Sequence, residues 1–443
     1  MSPRVRRRAT ALLTAAVLSA GIGAALAPVA AAAWGRPFQF AKPGALDHLG
    51  PELTFSSGGA AAAAFGIADI DAPGVSQAFL TTRSAQGAMS SPRAIAGAQQ
   101  ILALAYDGGS LELLTGSSPP GLDCCSSAQA VAIGAGGRPG APRTVVGGLT
   151  GATDGRLLTL ADGQMLAVVA TERGVWAAQS TRADRFGAAH LLTGAGQMPQ
   201  SIDAAWLGGE NTIVAWTAAT GPAGAAVARG IEVSGGTRLS PPHRALNLLT
   251  VPAGHSIDEL TVAREGAGAT AAWIESWYDA HGAYHSQVEA ADLTAHPVAH
   301  PVSPGAALAS GLSFAADASG DQALAWESCT LQDVCQAQAA LRSATTSFSG
   351  PRTLGAIDPA QQPAVAVGPH GQVLVGWVRG GQPVAAVAPR TGSGAGFGSP
   401  ATLSTSTYAL NVTVAFGPRR QALAAWSQGT LAPSIVGAAY TLP

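Results

Sequence analysis

Five times in this chain a short apolar run ends on a tryptophan in the same setting. The runs are Ile213-Val214-Ala215-Trp216, Thr270-Ala271-Ala272-Trp273, Ala323-Leu324-Ala325-Trp326, Leu374-Val375-Gly376-Trp377 and Leu423-Ala424-Ala425-Trp426. The tryptophans are 57, 53, 51 and 49 residues apart. A unit of that length holding several strands is the signature of a propeller blade. A two-helix solenoid would need uninterrupted helical stretches, and 56 glycines and 29 prolines, falling every ten residues or so, break them. The expected fold class is therefore all-β.

Each unit also repeats internally. From 362 to 404, Pro363–Val367 reads as a first strand, Gln372–Val378 as a second and Gln382–Pro389 as a third. A closing phrase, Phe397–Leu403, follows as the fourth, and it recurs as Phe348–Leu354 and Phe186–Leu192. Three weaker units precede the tryptophan-bearing five: Gly163–Thr171 with Val168 near the tryptophan position, Ser110–Thr115, and Ala60–Phe65. The count is eight four-stranded blades, with seven as the alternative because the earliest units are degenerate. The last unit runs Val412–Phe416, Gln421–Trp426, Ser434–Thr441 and stops without a fourth strand. Trp34–Phe40 matches the missing phrase, so the expected ring closes by pairing the N-terminal strand with the C-terminal blade, which removes exposed sheet edges.

The repeat resembles the secreted bacterial propellers of the broad kelch-like and WD-like kind over essentially all of residues 34–443. The resemblance is architectural. There is no WD dipeptide signature, no kelch double glycine and no Ser-x-Asp-x-Gly-x-x-Trp box, so it carries no residue roles. The tryptophans themselves read as packing between neighbouring blades.

Residues 1–33 read as a signal peptide. Arg4, Arg6, Arg7 and Arg8 precede an apolar run from Ala9 to Pro28, and Ala31-Ala32-Ala33 offers a cleavage site. The mature chain, 34–443, is expected to be one propeller domain, secreted and monomeric, with no membrane span once the signal is removed. Without the signal, 20 basic residues face 26 acidic ones, a net charge of −6. That excludes nucleic acid as a partner, since its binding needs a concentrated basic surface. The cysteines form two close pairs. Cys329 and Cys335 are expected to staple a hairpin tip, whereas Cys124 and Cys125 could form a vicinal disulfide, stay reduced or bond to separate partners. Methanol-dehydrogenase-like quinoproteins also carry a vicinal disulfide, but their blade-docking tryptophan motifs and calcium carboxylates have no counterpart here. No cofactor and no metal site is expected.

Function should sit on variable loops held by the rigid scaffold. The first-to-second turns are short and uniform, so the second-to-third loops are the place to look. The loop around Glu275–His285 gathers aromatic and polar groups in a chain only 5% aromatic. Trp277, Tyr278 and Tyr284 could stack on a sugar or an apolar partner, with Asp279 and His281 supplying hydrogen bonds. The alternative for this loop is a hairpin tip that covers its own blade. Asn411-Val412-Thr413 matches a glycosylation sequon but falls in an expected inner strand.

No Gly-x-Ser-x-Gly elbow, His-Glu-x-x-His helix or phosphate-binding glycine loop appears. Asp203, Asp258, Glu259, Asp317 and Asp358 lie on or near first strands, where loops from different blades converge. The first reading is thus a non-enzymatic recognition or scaffold propeller binding a protein or glycan; the alternative is an exported glycoside hydrolase or lyase with carboxylates at the central channel. Acids gathered at one mouth would favour the enzyme. A lining of Ala, Gly and Val would sink it, and the apolar look of Pro363–Val367 and Leu312–Ala316 favours binding.

Overall fold

A computed structural model describes residues 33–41, 47–68, 76–107, 109–118, 125–148, 151–160, 163–182, 185–193, 199–208, 211–219, 226–234, 244–266, 268–293, 297–305, 307–392, 396–418, 421–429 and 434–442. Among them there is no helix, and none long and apolar enough to cross a membrane. The signal-like segment before residue 33 lies outside them.

The described strands form eight antiparallel sheets, five of four strands and three of five, each with its first strand at one edge; seven are meanders in chain order, and the eighth is completed by residues 33–39. The first strands of sheets 1 to 8 are Asp47–Phe55, Gln100–Asp107, Ala152–Thr159, Pro199–Gly208, His255–Glu265, Leu308–Ala316, Ala364–Val367 and Ala409–Gly417. Successive first strands pack on one another, and that of sheet 8 packs on that of sheet 1. The fourth strands vary, from Arg244–Thr250 in sheet 4 and Arg352–Ala356 in sheet 6 to two-residue pieces such as His190–Leu191 in sheet 3. In sheet 7 only Ala401–Thr402 pairs, because Gly396 to Pro400 break the ladder.

Sheet 8 receives the N-terminus. Ala33 and Trp34 pair with Thr441 and Tyr440, and Phe38 and Gln39 pair with Gly437 and Val436. Phe40 then seats in a core of Ala61, Ala63 and Phe65 from sheet 1 and Leu423, Ala425 and Ile435 from sheet 8. Gly437 makes room for it, since a Cβ there would overlap the Phe40 ring.

The five repeated tryptophans are core residues, at most 3% exposed, and each faces the preceding sheet. Trp377 packs on Ala323, Ala325, Ala337 and Ala339, and Trp326 on Ala272, Ile274, Val288 and Ala290. The large indole fills the gap left where facing strands carry alanine, so sheets built almost wholly of small residues still close-pack. Phe65 takes the same place in sheet 1. In sheet 3 the place belongs to Val169, which faces sheet 2, and not to Val168, which faces sheet 4. The period of two in a strand makes that one-residue slip a change of face.

Seven first strands carry a bulge near their start, between Leu49/Glu52, Ile101/Ala103, Ala152/Asp154, Pro199/Ile202, Asp258/Thr261, Ser310/Ser313 and Leu410/Thr413. A bulge leaves amides without a ladder partner. Side chains of the preceding sheet bind first-strand amides: Glu259 accepts from the bulge amides Gly311 N (3.1 Å) and Leu312 N, and Asp203 and Ser313 accept from Val262 N (2.8 Å) and Val365 N (3.2 Å), which lie in regular stretches. Glu259 does this from a left-handed backbone (φ 51°), a conformation that costs a non-glycine residue energy.

Candidate functional site

One position on each first strand lies opposite the residue preceding the tryptophan place. Sheet by sheet it is Glu52, Ala103, Arg156, Asp203, Thr261, Ser313, Ala364 and Thr413. Most are small or hydroxylated. Charge is confined to sheets 1, 3 and 4, where Glu52, Arg156 and Asp203 meet Asp154 two residues before Arg156.

Arg156 is the hub. Its Nε donates to Asp203 Oδ1 (2.8 Å), and its Nη1 donates to Asp154 Oδ1 (2.5 Å) and to the Gly155 carbonyl (2.8 Å). Burial opposes the guanidinium charge, but Asp203 and Asp154 overcome it and raise the pKa, so Arg156 is a fixed cation. Asp203 also accepts from Thr261 Oγ1 (2.7 Å), which leaves it committed on every side. Asp154 accepts from Gly155 N (2.8 Å), yet desolvation still holds its carboxyl above the ordinary aspartate range.

Glu52 differs from the others. Its side chain is exposed, although neighbouring strands crowd around its carboxyl, and it has no hydrogen-bond partner among the described residues. Loss of bulk water therefore raises its pKa. The field of Arg156 lowers it in part, and that of Asp154 raises it again. The cluster combines two carboxyl groups whose pKa values desolvation raises, Glu52 and Asp154, and an arginine that fixes the position of the second.

Of the five acids singled out by sequence, only Asp203 belongs to this cluster. Asp258 binds Ser276 Oγ (2.6 Å) and Ser256 Oγ (3.3 Å), and Asp317 accepts from Ser319 N (2.8 Å) and Asp321 N (3.0 Å) in its own turn. Asp358 holds the turn amides of Gly380 and Gly381, each at 2.6 Å. Glu52, Asp154 and Arg156 escaped notice because their units lack the tryptophan that sets the register. Counting back from Phe65 and Val169 would have found them.

The aromatic loop is divided by strand alternation. Second and third strands of sheet 5 extend to Tyr278 and from Tyr284, and Trp277 pairs with His285 while Tyr278 pairs with Tyr284. Trp277 is sandwiched between His255 (centroids 5.0 Å apart, 7° between planes) and His285 (5.4 Å, 16°), so neither indole face is open to a sugar. Asp279 is spent on the loop itself: it accepts from His281 N (2.8 Å), Ala283 N (2.9 Å) and His285 Nε2 (3.1 Å), which keeps its carboxyl below the usual range. The His281 side chain is exposed and gives the loop its amide rather than its ring. Tyr278 and Tyr284 point the other way, their rings 5.3 Å apart and 71% and 40% exposed. The residues expected to act together therefore do not share a face.

On sheet 6, Cys329 and Cys335 are paired and bonded, with Cα atoms 4.0 Å apart. Cys125 is also disulfide-bonded, while Cys124, the other half of the expected vicinal pair, lies outside the described residues. The described residues hold one grouping at metal-ligand distances, Glu327 with Cys329 and Cys335, but disulfide sulfurs are not thiolate ligands.

No protein-family model matches this chain, and no curated protein matches it by sequence. Among solved structures it is similar to the polysaccharide lyase Uly1, at 9% identity and a TM-score of 0.48 over 89% of this chain and 90% of that one. It is also similar to an α-L-arabinanase of Penicillium chrysogenum, at 8% identity and a TM-score of 0.41 over 91% and 98%. A puromycin hydrolase aligns at 15% identity and a TM-score of 0.46, over 88% of this chain and 61% of the hydrolase. No residue role passes from any of them to this chain.

Proposed function

We propose that this chain is an exported eight-bladed β-propeller that cleaves glycosidic linkages at its central channel, with Glu52 as the proton donor. The head-to-tail order of first-strand contacts and the pairing of residues 33–39 with the last sheet support a closed ring. The signal-like segment 1–33 and the disulfides support export.

The observation that carries the catalytic reading is the Glu52–Asp154–Arg156 grouping. Glycoside cleavage needs one carboxylic acid that stays protonated and a second carboxylate to act on water or on the anomeric carbon. Desolvation raises both carboxyls, and Glu52, with no donor among the described residues to hold its anion, is assigned the first task. Asp154, steered by Arg156 and Gly155 N, suits the second. Asp203 has every oxygen engaged and acts as a positioning residue through Arg156 and Thr261. Incubating the secreted protein with a polysaccharide panel tests this: reducing ends should appear with the wild type and vanish with Glu52→Gln. Cleavage that survives Glu52→Gln would refute the assignment.

A second reading, a recognition propeller that binds a protein or glycan without cleaving it, rests on the exposed Tyr278–Tyr284 pair. In that case glycan or protein capture would depend on these tyrosines and be indifferent to Glu52→Gln.

A further inference from the structure

We infer that a groove between sheets 5 and 6, built apart from the Glu52–Arg156 cluster, binds an uncharged glycan. The two sheets create it by ending differently. In sheet 5 the fourth strand is only His300–Pro301, paired with Ala290 and Glu289, while the third strand runs two residues further, to Asp292. In sheet 6 the third strand ends at Arg342, and a loop rich in hydroxyl groups, residues 343–351, leads to the fourth. Between them lies a groove of ≈ 760 Å³. Sites for small ligands span about 300–1,000 Å³.

The class of ligand follows from which polar groups are still open. Every nitrogen of Arg342 is engaged: Nε with the Thr346 carbonyl (2.7 Å), Nη1 with Asp292 (2.5 Å) and Thr270 (3.2 Å), and Nη2 with Asp292 (3.0 Å) and Glu265. An anionic ligand would therefore find no free guanidinium donor, and it would face the Asp292 carboxylate, which is 45% exposed. Turning Arg342 outward would strip both acids of their cation, a costly exchange. Acceptors and hydroxyls remain. A carboxylate has about four lone-pair sites, and Arg342 and Thr270 fill only part of those on Asp292 and Glu265. Thr345 and Ser347 line the same groove, both exposed and without a hydrogen-bond partner among the described residues.

The apolar lining completes the match. The half-buried Phe348 ring is held in place by the Arg342 guanidinium, 5.6 Å from its centre, and by the Phe314 ring at 6.2 Å. Pro301, exposed, also lines the groove. A sugar brings C–H faces for such rings, hydroxyl donors for the carboxylates and acceptors for Thr345 and Ser347. A simple amine would use the carboxylates and leave the rest idle. None of Glu52, Asp154 and Arg156 lines this groove, so its role stands whether the channel cleaves a glycan or only retains one.

Affinity electrophoresis of the full secreted protein tests this, in gels holding a neutral polymer (glucan, xylan or arabinan) or a uronate polymer (pectate or alginate), run in the cold to keep the polymers intact. Retention by a neutral polymer is expected. Ser347→Trp, which fills the groove from its exposed rim, and Phe348→Ala should each raise the dissociation constant more than about tenfold. Ser347→Trp should leave the melting temperature and the cleavage of short oligosaccharides unchanged, and Phe348→Tyr should keep retention. Where Phe348→Ala lowers the melting temperature, Ser347→Trp decides alone. The inference is overturned if no neutral polymer retains the protein, or if retention ignores Ser347→Trp. Tighter binding of a uronate polymer, or of spermidine, that Ser347→Trp abolishes would overturn it as well, by showing a charged ligand. None of these outcomes touches the Glu52 assignment, which the reducing-end assay decides separately.

Discussion

Two arginines in this protein each hold two carboxylates, and they differ in what is left over. Arg342 joins sheet 6 to sheet 5. Its Nη1 donates to Asp292 (2.5 Å) and Thr270 (3.2 Å), its Nη2 to Asp292 (3.0 Å) and Glu265, and its Nε to the Thr346 carbonyl (2.7 Å). The guanidinium also lies 5.6 Å from the centre of the Phe348 ring, and the side chain is only 9% exposed. Every donor is used and no acid is spare. Arg156 is 36% exposed, and beside it stands a third acid, Glu52, with no hydrogen-bond partner of its own among the described residues. A saturated network is a clamp. A network that leaves an exposed acid unpartnered beside it has a group to spare for chemistry.

Glu52→Gln should break the comparison most visibly. It is expected to lower kcat by about 100- to 10,000-fold, the usual worth of a general acid. It should not destabilise the fold. The raised Glu52 pKa means the folded protein prefers the proton, so this contribution is full below the ordinary glutamate range and is lost as pH rises through the raised value. Removing the carboxyl should therefore reduce the decline of melting temperature with rising pH, as calorimetry across a pH series will show.

Arg342→Met tests the clamp. It leaves Glu265 and Asp292 without their cation and should cost about 3–5 kcal/mol of stability by denaturant unfolding. Glycan cleavage by the folded fraction should be unchanged. A loss of catalysis at full stability would reverse the roles assigned to the two arginines.

Glu289 gives an intermediate effect. It is buried beside Glu275, and desolvation first and Glu275 second push its carboxyl to about 7, despite the hydrogen bond from Gln287. Its stabilising contribution is present below the ordinary glutamate value and lost as pH rises to about 7, so Glu289→Gln should flatten the melting curve over that window. Replacing both Cys329 and Cys335 by Ser should cost ~2 kcal/mol or less, because the loop they close is short. Tyr278→Ala with Tyr284→Ala should change stability by less than about 0.5 kcal/mol, as for exposed residues elsewhere. A change in glycan retention from that double variant, with cleavage intact, would support the recognition reading.

Much of the architecture was legible in the residues, because packing between sheets of alanine, glycine and valine needs one large side chain per unit at a constant place. The spacing of Trp216, Trp273, Trp326, Trp377 and Trp426 reported that need directly. The strand Ser434–Thr441 was readable to its ends, since a missing fourth strand has to be supplied from elsewhere in the chain. The degenerate units were harder. Phe65 and Val169 do the same packing with ordinary side chains, and in sheet 3 the sequence pointed only to the neighbourhood of Val168, one residue from Val169.

The candidate site was mostly hidden for the same reason. Local sequence determined that this chain would be an all-β repeat, and that Tyr278 and Tyr284 would stand at a hairpin tip. Tertiary structure alone decided that Glu52, Asp154, Arg156 and Asp203, spread over about a hundred and fifty residues, would meet, and that Trp277 would be shut between His255 and His285. Strand period and packing volume act between near neighbours and leave their mark on the chain. A carboxyl pKa depends on which distant strands exclude water from it, and no local pattern records that.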